Sequence, residues 1–257
     1  MNKKIAIIGM GHMGKAIYDG LVLAGVDKEN ILTSDSSKDN KKIASQADWI
    51  ILAVKPLVVS EVIAEINQVI KDKIVMSVAA AVSITSMIDY IGNTNQKIIR
   101  LMPNLPVAYG QGIIGFYNND AVSETEKNEV VTALSGLGTV ITCKQEEDLE
   151  GITVLAGSGP AVVAYCLSLF EQAGKSFGFE EEQAREIAYQ TFVGTISLLK
   201  QTGQTATQLQ QAVATKGGIT EQIINHLEEE NVASIFQKSF DKGYARIKKL
   251  REELISH

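Results

Sequence analysis

The first half of the chain alternates short apolar runs with segments whose apolar residues recur at helical spacing. The runs are nearly continuous, as in strands covered on both faces of a parallel sheet, and they lie at residues 5–8, 31–34, 48–54, 74–78 and 97–102. Two later strands are predicted at 111–117 and 139–142, on either side of a helix that Ser123 and Glu126 begin with a capping box. Ser83 is predicted to cap an earlier helix that ends near Ile91. This order of elements predicts an α/β, Rossmann-like domain.

Beyond about Gln145 the strand pattern stops and helical patterns take over. Helices are predicted at residues 161–177, 181–199, 207–214, 220–229 and 233–250. An α/β half followed by about a hundred helical residues predicts two domains, residues 1–145 and the all-α residues 146–257. The segment 161–177 is apolar nearly all round, which predicts that it is buried or lies in a subunit interface.

The sheet is predicted to be trimmed on one side. Only twelve residues, 36–47, separate the second predicted strand with its following Asp35 from the next strand. They can hold one short helix, but they cannot hold the helix, strand and second helix of a full mononucleotide-binding half.

Three glycines, Gly9, Gly11 and Gly14, follow the first predicted strand directly and precede a helical pattern. This G-x-G-x-x-G spacing between strand and helix is typical of dinucleotide binding. Gly9 allows the turn, Gly11 lets a pyrophosphate approach the backbone, and Gly14 lets the helix pack closely on the strand. The phosphates would face free N–H groups at the helix N-terminus. The alternative is a glycine turn without a ligand.

Asp35 stands 21 residues after Gly14, at the end of the second predicted strand. Dinucleotide folds place the acid that binds the adenosine ribose at about this distance. The serines around it are equally typical of an ordinary turn aspartate, so both interpretations stay open. An aspartate facing the ribose would repel a 2′-phosphate and favour NADH, whereas the lysines at 38, 41 and 42 could reverse that preference.

Two stiff segments are predicted at the same carboxyl edge of the sheet, where open α/β sheets bind ligands. Lys55-Pro56 closes the third strand, and two prolines stiffen the loop 102–106 after the fifth. Small residues at 79–81 leave room for a ligand. The residues predicted to bind the cofactor are Gly9, Met10, Gly11, His12, Met13, Gly14, Ser34, Asp35, Ala53, Val54, Lys55, Pro56, Ala80, Pro103 and Asn104.

Composition narrows the possible partners. A formal net charge of −6 argues against nucleic acid or an anionic membrane as the main partner. Two distant cysteines are typical of a reduced cytoplasmic protein, and three scattered histidines give no metal-ligand spacing, so no metal site is expected. The first apolar run is too short for a signal peptide, and no stretch is expected to be long enough to span a bilayer. These bounds fit a soluble, cytoplasmic enzyme that uses an organic cofactor and a small-molecule substrate.

A second glycine loop, residues 214–220, interrupts the helical half with the sequence Ala-Thr-Lys-Gly-Gly-Ile-Thr. The glycine pair stands immediately before a predicted helix, whose free N–H groups can hold a carboxylate. The Thr220 hydroxyl can cap the helix or face a ligand. Without further information, a plain turn between helices explains the loop equally well.

The second glycine loop resembles the signature loop of Δ1-pyrroline-5-carboxylate reductases. Four other stretches match that family in order and spacing, at residues 9–14, 53–56, 102–106 and 156–161. The likeness covers nearly the whole chain. It implies a Rossmann domain that binds NAD(P)H. It implies as well that the protein catalyses the last step of proline synthesis. It also implies a helical dimerisation and substrate domain that interlocks with a partner's to form a homodimer, and a ring of dimers as a further level of assembly.

The resemblance also implies roles for the second glycine loop. Gly217, Gly218 and Thr220 would hold the substrate's carboxylate and ring nitrogen, and Thr215 matches a family hydroxyl. Thr220 is the candidate catalytic residue, because it would orient the imine nitrogen and relay a proton as C4 of the nicotinamide transfers a hydride to the C=N carbon. The nicotinamide would lie between the loop at 103–104 and the helical domain, in an interdomain crevice.

The chain departs from the family pattern at four places. Lys216 stands where the family usually has proline, and Ala81 stands where glycine is common. Asp35 replaces an arginine of NADP-preferring members, so the family resemblance points to NADPH while this residue points to NADH. The connection 36–47 lacks the family's usual helix and strand, which leaves one side of the adenosine pocket open or differently built.

Two other functions compete with this reading. A β-hydroxyacid dehydrogenase would carry a catalytic lysine after a glycine-rich turn, but residues 160–170 contain no lysine. A paralogue that binds the cofactor and acts as a sensor or interaction module would retain the first glycine loop without turnover.

Overall fold

The computed structural model describes residues 3–35 and 37–255 and contains two compact units. One unit runs up to Pro160 and resumes at Gly243, and the other comprises Ala161–Lys242. These limits differ from the predicted domains 1–145 and 146–257, and that domain division stays a prediction.

The first unit contains a seven-stranded sheet with the strand order β2-β1-β3-β4-β5-β6-β7. The strands are β1 (Ile5–Ile8), β2 (Ile31–Ser34), β3 (Trp49–Leu52), β4 (Ile74–Ser77), β5 (Lys97–Pro103), β6 (Gly112–Asn118) and β7 (Gly138–Thr142). The first five are parallel, and β6 pairs antiparallel with β5. The segment that joins β5 to β6 is a short 3₁₀ turn, Leu105–Tyr109, and a parallel crossover needs a longer connection. The predicted trimmed, mostly parallel sheet is confirmed.

Helices cover both faces of this sheet. They are α1 (His12–Leu23), α2 (Ser37–Gln46), α3 (Val59–Ile66), α4 (Ile84–Ile91), α5 (Glu124–Ser135) and α6 (Asp148–Ile152). Successive side chains of β1 alternate between the faces, so Ile5 and Ile7 join the core under α1 while Ala6 and Ile8 join the core under α3. This double burial explains why the strands read as continuous apolar runs.

The connection between β2 and β3 holds α2 alone, as the residue count predicts. Ser36 of this connection lies outside the described residues, as do the side chains of Ser37 and Lys38. β2 stands first in the strand order of the described residues, so it forms one edge of the sheet.

Local signals at two helix starts are confirmed. The Ser83 side chain accepts a hydrogen bond from the Ser86 N–H at the start of α4. Ser123 and Glu126 form a reciprocal capping box at the start of α5. Each cap satisfies N–H groups that have no partner within the helix itself.

The chain continues with α7 (Gly159–Ser176), α8 (Glu181–Thr202), α9 (Ala206–Val213), α10 (Ile219–Glu229) and α11 (Val232–Ile255). Among the described residues of Ala161–Lys242, the buried apolar residues are only Ala184 and Ala188. No residue of α7 is buried within this chain. Of the two outcomes predicted for 161–177, burial within the chain is wrong, and the subunit interface stays a prediction.

The expectation that no stretch could span a bilayer is wrong. The Gly157–Pro160 segment does not end the helix, because a π-helical turn at Thr153–Gly157 leads into α7. Pro160 lies in the first turn of α7, where a proline is tolerated. The resulting helix, Asp148–Ser176, is 29 residues long and contains a window of mean hydropathy 1.7, of which 6% is buried. Length and composition alone would let it cross a membrane, although a single such helix is a weak indication.

Candidate functional site

The first glycine loop, Gly9–Gly14, joins β1 to α1 and leaves an open cradle over the helix start. Gly9 has a φ of +96°, and a Cβ there would lie 2.6 Å from the carbonyl oxygen of Ala53. A Cβ on Gly14 would overlap the Gly9 carbonyl, whereas a Cβ on Gly11 would meet nothing within 4 Å. The space beside Gly11 therefore suits a group that must approach the backbone closely, such as a pyrophosphate.

The start of α1 is available to an anion. Gly11 is its N-cap residue and offers no side-chain cap, and the first turn contains no acidic residue. The first N–H groups of a helix have no partner within it, and the helix dipole favours negative charge at this end. The residues of this turn, His12, Met13 and Gly14, are those predicted to bind the cofactor.

Asp35 lies beside the first glycine loop. Its Oδ1 accepts a hydrogen bond from the Met10 N–H at 3.2 Å, and the Gly9 N–H donates to the Ser34 carbonyl at 2.8 Å. The carboxylate is exposed. The structure therefore brings together the glycines and the acid that the sequence analysis placed in one cofactor site.

A cavity of about 220 Å³, here called the edge cavity, opens at the carboxyl ends of β1 and β2. The connection after β1 leads to β2 on one side, whereas the connection after β3 leads to β4 on the other side. The carboxyl ends of β1 and β3 therefore form the switch point at which open α/β sheets bind ligands, and the edge cavity lies beside it. The described residues that line the edge cavity are Ile8, Gly9, Ser34, Asp35, Asn40, Val54, Val58, Glu61, Val62 and Glu65.

Six of those residues were missed by the sequence analysis, and three of the six are polar. Asn40 lies on α2, and Glu61 and Glu65 lie one turn apart on α3. The spacing of the two glutamates could have indicated a shared face of the helix that starts at this sheet edge. Asn40 carries no comparable signal in a polar segment.

The segment Ala53–Pro56 crosses the same edge. The Ala53 N–H donates to the Ile8 carbonyl at 2.8 Å, and Val54 lines the edge cavity. Lys55 is exposed and forms no salt bridge with any described residue. Pro56 begins a short 3₁₀ turn, Pro56–Val58, which leads into α3.

Asn104 holds its own loop in place. Its Nδ2 donates to the Ala156 carbonyl at 3.0 Å, and its Oδ1 accepts from the Ile113 N–H at 2.9 Å. Only 8% of the residue is exposed. These bonds use both the Nδ2 and the Oδ1 of Asn104 and fix the chain beside Pro103. The direct contact expected between Asn104 and the cofactor stays a prediction.

Ala80 precedes a constrained position. The next residue, Ala81, has a φ of +64°, a region that glycine adopts more easily than alanine. This conformation gives a physical reason for glycine being common there in the family that the chain resembles.

The second glycine loop ends at α10. Gly217 has a φ of +78°, and Gly218 is the N-cap residue, where a Cβ would lie 2.8 Å from the Thr215 Oγ1. Thr220 is the second residue of α10, so it does not cap the helix. Among the described residues its hydroxyl makes no hydrogen bond, which leaves it available to a ligand.

Glu221 is a further residue of this loop that the sequence analysis did not single out. Its Oε2 accepts a hydrogen bond from the Gly217 N–H at 2.6 Å. An acid at the third helix position usually accepts from the N–H of the N-cap residue, which here is Gly218, so the bond to Gly217 one residue earlier could not be predicted from that rule.

The described residues contain no group of three or more His, Cys, Asp or Glu side chains that could hold a metal ion. Among the described residues, the features predicted to bind a ligand are the two glycine loops, and Asp35 and the edge cavity lie beside the first.

Comparisons with known proteins agree along nearly the whole chain. A family model described as pyrroline-5-carboxylate reductase dimerisation matches residues 146–250, and one described as NADP oxidoreductase, coenzyme F420-dependent, matches residues 4–81. The pyrroline-5-carboxylate reductase of Aquifex aeolicus is 32% identical over 267 residues, which cover 97% of this chain and 98% of that protein.

Two solved structures are similar to this chain over their full lengths. The Plasmodium falciparum pyrroline carboxylate reductase with NADP bound has a TM-score of 0.90 and 25% identity, covering 97% of this chain and 98% of that one. A pyrroline-5-carboxylate reductase from Coxiella burnetii has a TM-score of 0.87 and 29% identity, covering 97% and 99%.

Proposed function

The chain belongs to the pyrroline-5-carboxylate reductase family, and from that premise we propose which of its residues carry the reaction. It is an NAD(P)-dependent oxidoreductase of proline biosynthesis. The reaction is reduction of the C=N bond of 1-pyrroline-5-carboxylate to L-proline. The observation that best supports a nucleotide-dependent reaction is the first glycine loop, where Gly11 faces open space at an uncapped helix start.

The cofactor site consists of the first glycine loop and the sheet edge around it. The N–H groups of His12, Met13 and Gly14 hold the pyrophosphate, because these donors have no partner within the helix. The other residues of the set are Gly9, Met10, Gly11, Ser34, Asp35, Ala53, Val54, Lys55, Pro56, Ala80, Pro103 and Asn104. When bound, the reduced nicotinamide supplies the hydride from its C4.

The cofactor is NADH in preference to NADPH. The Asp35 carboxylate lies at the ribose end of the predicted site, where a 2′-phosphate would meet like charge. A test compares the kcat/KM values for the two cofactors in the wild type and in Asp35→Asn. The kcat/KM of the wild type should be higher with NADH than with NADPH. The ratio of these two values should be smaller in Asp35→Asn.

The substrate site is the second glycine loop. The backbone of Gly217 and Gly218 binds the carboxylate of the cyclic imine, Lys216 adds a nearby cation, and Thr215 completes the loop. The Thr220 hydroxyl donates to the ring nitrogen and orients it. As the C=N carbon accepts the hydride, the nitrogen accepts a proton through this hydroxyl, which solvent then reprotonates.

The protein acts as a homodimer in the cytoplasm. The large apolar side chains of α7 and α8 are exposed in the single chain, among them Tyr165, Leu169, Val193 and Ile196. A contiguous apolar surface of this kind needs a cover, and the dimerisation model that matches 146–250 favours a second copy of the chain over a lipid bilayer. A ring of such dimers would be an additional level of assembly.

The role of Thr220 is tested by comparing Thr220→Ala with Thr220→Ser, which keeps the hydroxyl. Oxidation of NADH and NADPH is followed with added pyrroline-5-carboxylate, and cofactor binding is measured separately. We expect kcat to fall about 100-fold in the alanine variant, as for a lost proton donor, with unchanged cofactor affinity and most activity retained by serine.

Unchanged turnover in Thr220→Ala would remove Thr220 from the mechanism. Tight cofactor binding by the wild type without substrate-dependent oxidation of either cofactor would instead support a sensor or interaction module.

A further inference from the structure

The helix that runs through Pro160 lacks one backbone donor. Pro160 has no N–H, and it lies within the continuous helix Asp148–Ser176. In an α-helix each N–H donates to the carbonyl four residues earlier, which for Pro160 is the carbonyl of Ala156. The Asn104 side chain supplies a replacement, because its Nδ2 donates to that carbonyl at 3.0 Å. A residue that directly follows β5 thus makes a hydrogen bond that the helix cannot make for itself.

The Asn104 amide is held in one orientation. The Ile113 N–H donates to its Oδ1 at 2.9 Å, and the Asn104 N–H donates to the Ile113 carbonyl at 3.1 Å. A backbone N–H only donates and a backbone carbonyl only accepts, so the amide oxygen must face Ile113 and the amide nitrogen must face Ala156. The side chain is therefore a fixed link between the β5–β6 pair and the π-helical turn.

Asn119 makes a similar set of bonds at the opposite end of β5 and β6. Its N–H donates to the Ile98 carbonyl and its Oδ1 accepts from the Ile98 N–H, both at 3.1 Å. Its Nδ2 donates to the carbonyl of Gln96, which directly precedes β5, so this amide only closes the end of the strand pair. Asn104 differs in its target, because Ala156 lies 52 residues away on the helix. Of the two asparagines, only Asn104 adds a link to the π-helical turn.

Other contacts hold the start of this helix on the same strands. Arg100 of β5 is buried and donates to Glu146 Oε1 at 2.8 Å. α6 lies so close over β6 that a Cβ on Gly115 would be 2.8 Å from Leu149 Cδ2. These contacts do not involve Asn104. Loss of its side chain should therefore loosen the loop after β5 without unfolding the unit.

We propose that Asn104 is a positioning residue for hydride transfer, because it fixes the loop after β5 against the π-helical turn. The inference rests on the proposed function, in which Pro103 at the start of this loop belongs to the cofactor site. A loop that shifts by about 1 Å would let the nicotinamide leave its reactive geometry, and a misplacement of that size can cost about 100-fold in rate. Cofactor affinity should change little, because the pyrophosphate is held at the first glycine loop. Pro160 contributes by leaving the Ala156 carbonyl to Asn104.

The test compares kcat with the dissociation constant of the cofactor. Asn104→Ala should lower kcat by about tenfold or more. The dissociation constant of NADH, measured by fluorescence titration on the full chain, should stay near the wild-type value. Asn119→Ala is the matched control, since it removes the same kinds of bonds at the other end of the strand pair. It should lower the melting temperature to a similar extent and leave kcat unchanged.

A double variant separates positioning from stability. Adding Pro160→Ala to Asn104→Ala gives the helix an N–H that can donate to the Ala156 carbonyl. The melting temperature should recover, whereas kcat should stay low because the loop after β5 is still not linked to the helix. If Asn104→Ala does not fold, Asn104→Asp takes its place, because an ionised carboxylate accepts from Ile113 but cannot donate to Ala156.

A wild-type kcat in folded Asn104→Ala would overturn the positioning role. Recovery of kcat together with the melting temperature in the double variant would also overturn it, because Asn104 would then only satisfy a carbonyl. A loss of activity explained by weaker NADH binding would overturn it in favour of a direct contact with the cofactor. A wild type that oxidises neither NADH nor NADPH with pyrroline-5-carboxylate would instead overturn the proposed function, which is a different result from any change in Asn104→Ala.

Discussion

The Gly217 N–H donates to the Glu221 carboxylate, so the second glycine loop of the free protein is already bonded to an anion of its own. The proposed substrate carboxylate needs the same backbone donors. Glu221 therefore stabilises the loop before substrate binds and competes with the substrate afterwards.

Glu221→Gln should lower the KM for pyrroline-5-carboxylate with little change in kcat. Glutamine can still accept from Gly217, but it no longer repels the substrate, and like charges about 4 Å apart near water interact by about 1 kcal/mol, or roughly fivefold. Steady-state kinetics on this variant and on Glu228→Gln, an exposed change farther along α10, measure the effect. A KM that rises or stays at the wild-type value would contradict the competition.

Single residues also mark the limit of prediction from sequence. The spacing of Gly9, Gly11 and Gly14 specified their different environments, because backbone sterics at such a turn are local. The partners of Asn104 and Asn40 lie 9 to 52 residues away, and no local pattern encodes them. Their hydrogen bonds became visible only with the fold.

Helix α5 is held at its start by a network that includes a neighbouring strand. Glu126 Oε2 accepts from the Ser123 N–H at 3.0 Å, and its Oε1 accepts from Lys97 Nζ of β5 at 2.6 Å. Burial acts to raise the pKa of Glu126, but the hydrogen bonds from Lys97 and Ser123 outweigh it, so the pKa lies below its ordinary value.

This shift predicts a pH-dependent contribution to stability. A carboxyl whose pKa is lower in the folded state stabilises the protein above its unfolded pKa of about 4.3 and loses that effect as the pH falls through the folded value. The free energy of unfolding of Glu126→Gln should therefore lie below that of the wild type at pH 7, and the difference should close below about pH 4.

Denaturant unfolding at several pH values measures this difference. Glu129→Gln is the control, since the Glu129 pair with Lys3 is 3.9 Å long and exposed, and such pairs contribute little. A difference that stays constant from pH 7 to pH 3 would contradict the assigned role of Glu126.

At the level of elements, signals contained in a few neighbouring residues predicted strands and helix starts correctly. Features that depend on the rest of the fold were not predicted. The apolar runs gave the strands, and Ser83 and Ser123 gave two helix starts. The antiparallel direction of β6 follows from the short turn between β5 and β6, which reverses the direction of the chain. The helix continues through Pro160 because a π-helical turn precedes α7. The glycines and the proline of this segment would ordinarily predict that the helix ends there.

At the scale of the whole molecule, the helical unit Ala161–Lys242 leaves most of its apolar side chains uncovered, since only Ala184 and Ala188 among its described apolar residues are buried. Exposed Val193 and Ile196 on α8 are expected to lie in the proposed subunit interface. Replacing both with glutamate should place charges in that interface and convert a dimer into monomers. Sedimentation velocity at micromolar concentration, without detergent, measures the state of the wild type and of the double variant.

Thr202→Glu, which places a charge on the opposite face of the same helix, is the control and should remain dimeric. A wild type that sediments as a monomer, or that needs detergent to stay in solution, would contradict the proposed interface.

The sequence could predict that segment 161–177 needs a cover, because its composition is apolar all round. It could not show that the chain itself leaves the segment uncovered, since that depends on the packing of every other helix.

The central claim is that this chain transfers a hydride from a reduced nicotinamide to the C=N carbon of a cyclic imine. The most direct measurement supplies NADH carrying deuterium at both C4 positions together with pyrroline-5-carboxylate, and then locates the label in the product by NMR. We predict proline with one deuterium on Cδ, the ring carbon that is bonded to nitrogen and carries no carboxylate. Proline without the label, or no proline at all from the folded, cofactor-bound protein, would contradict the claim.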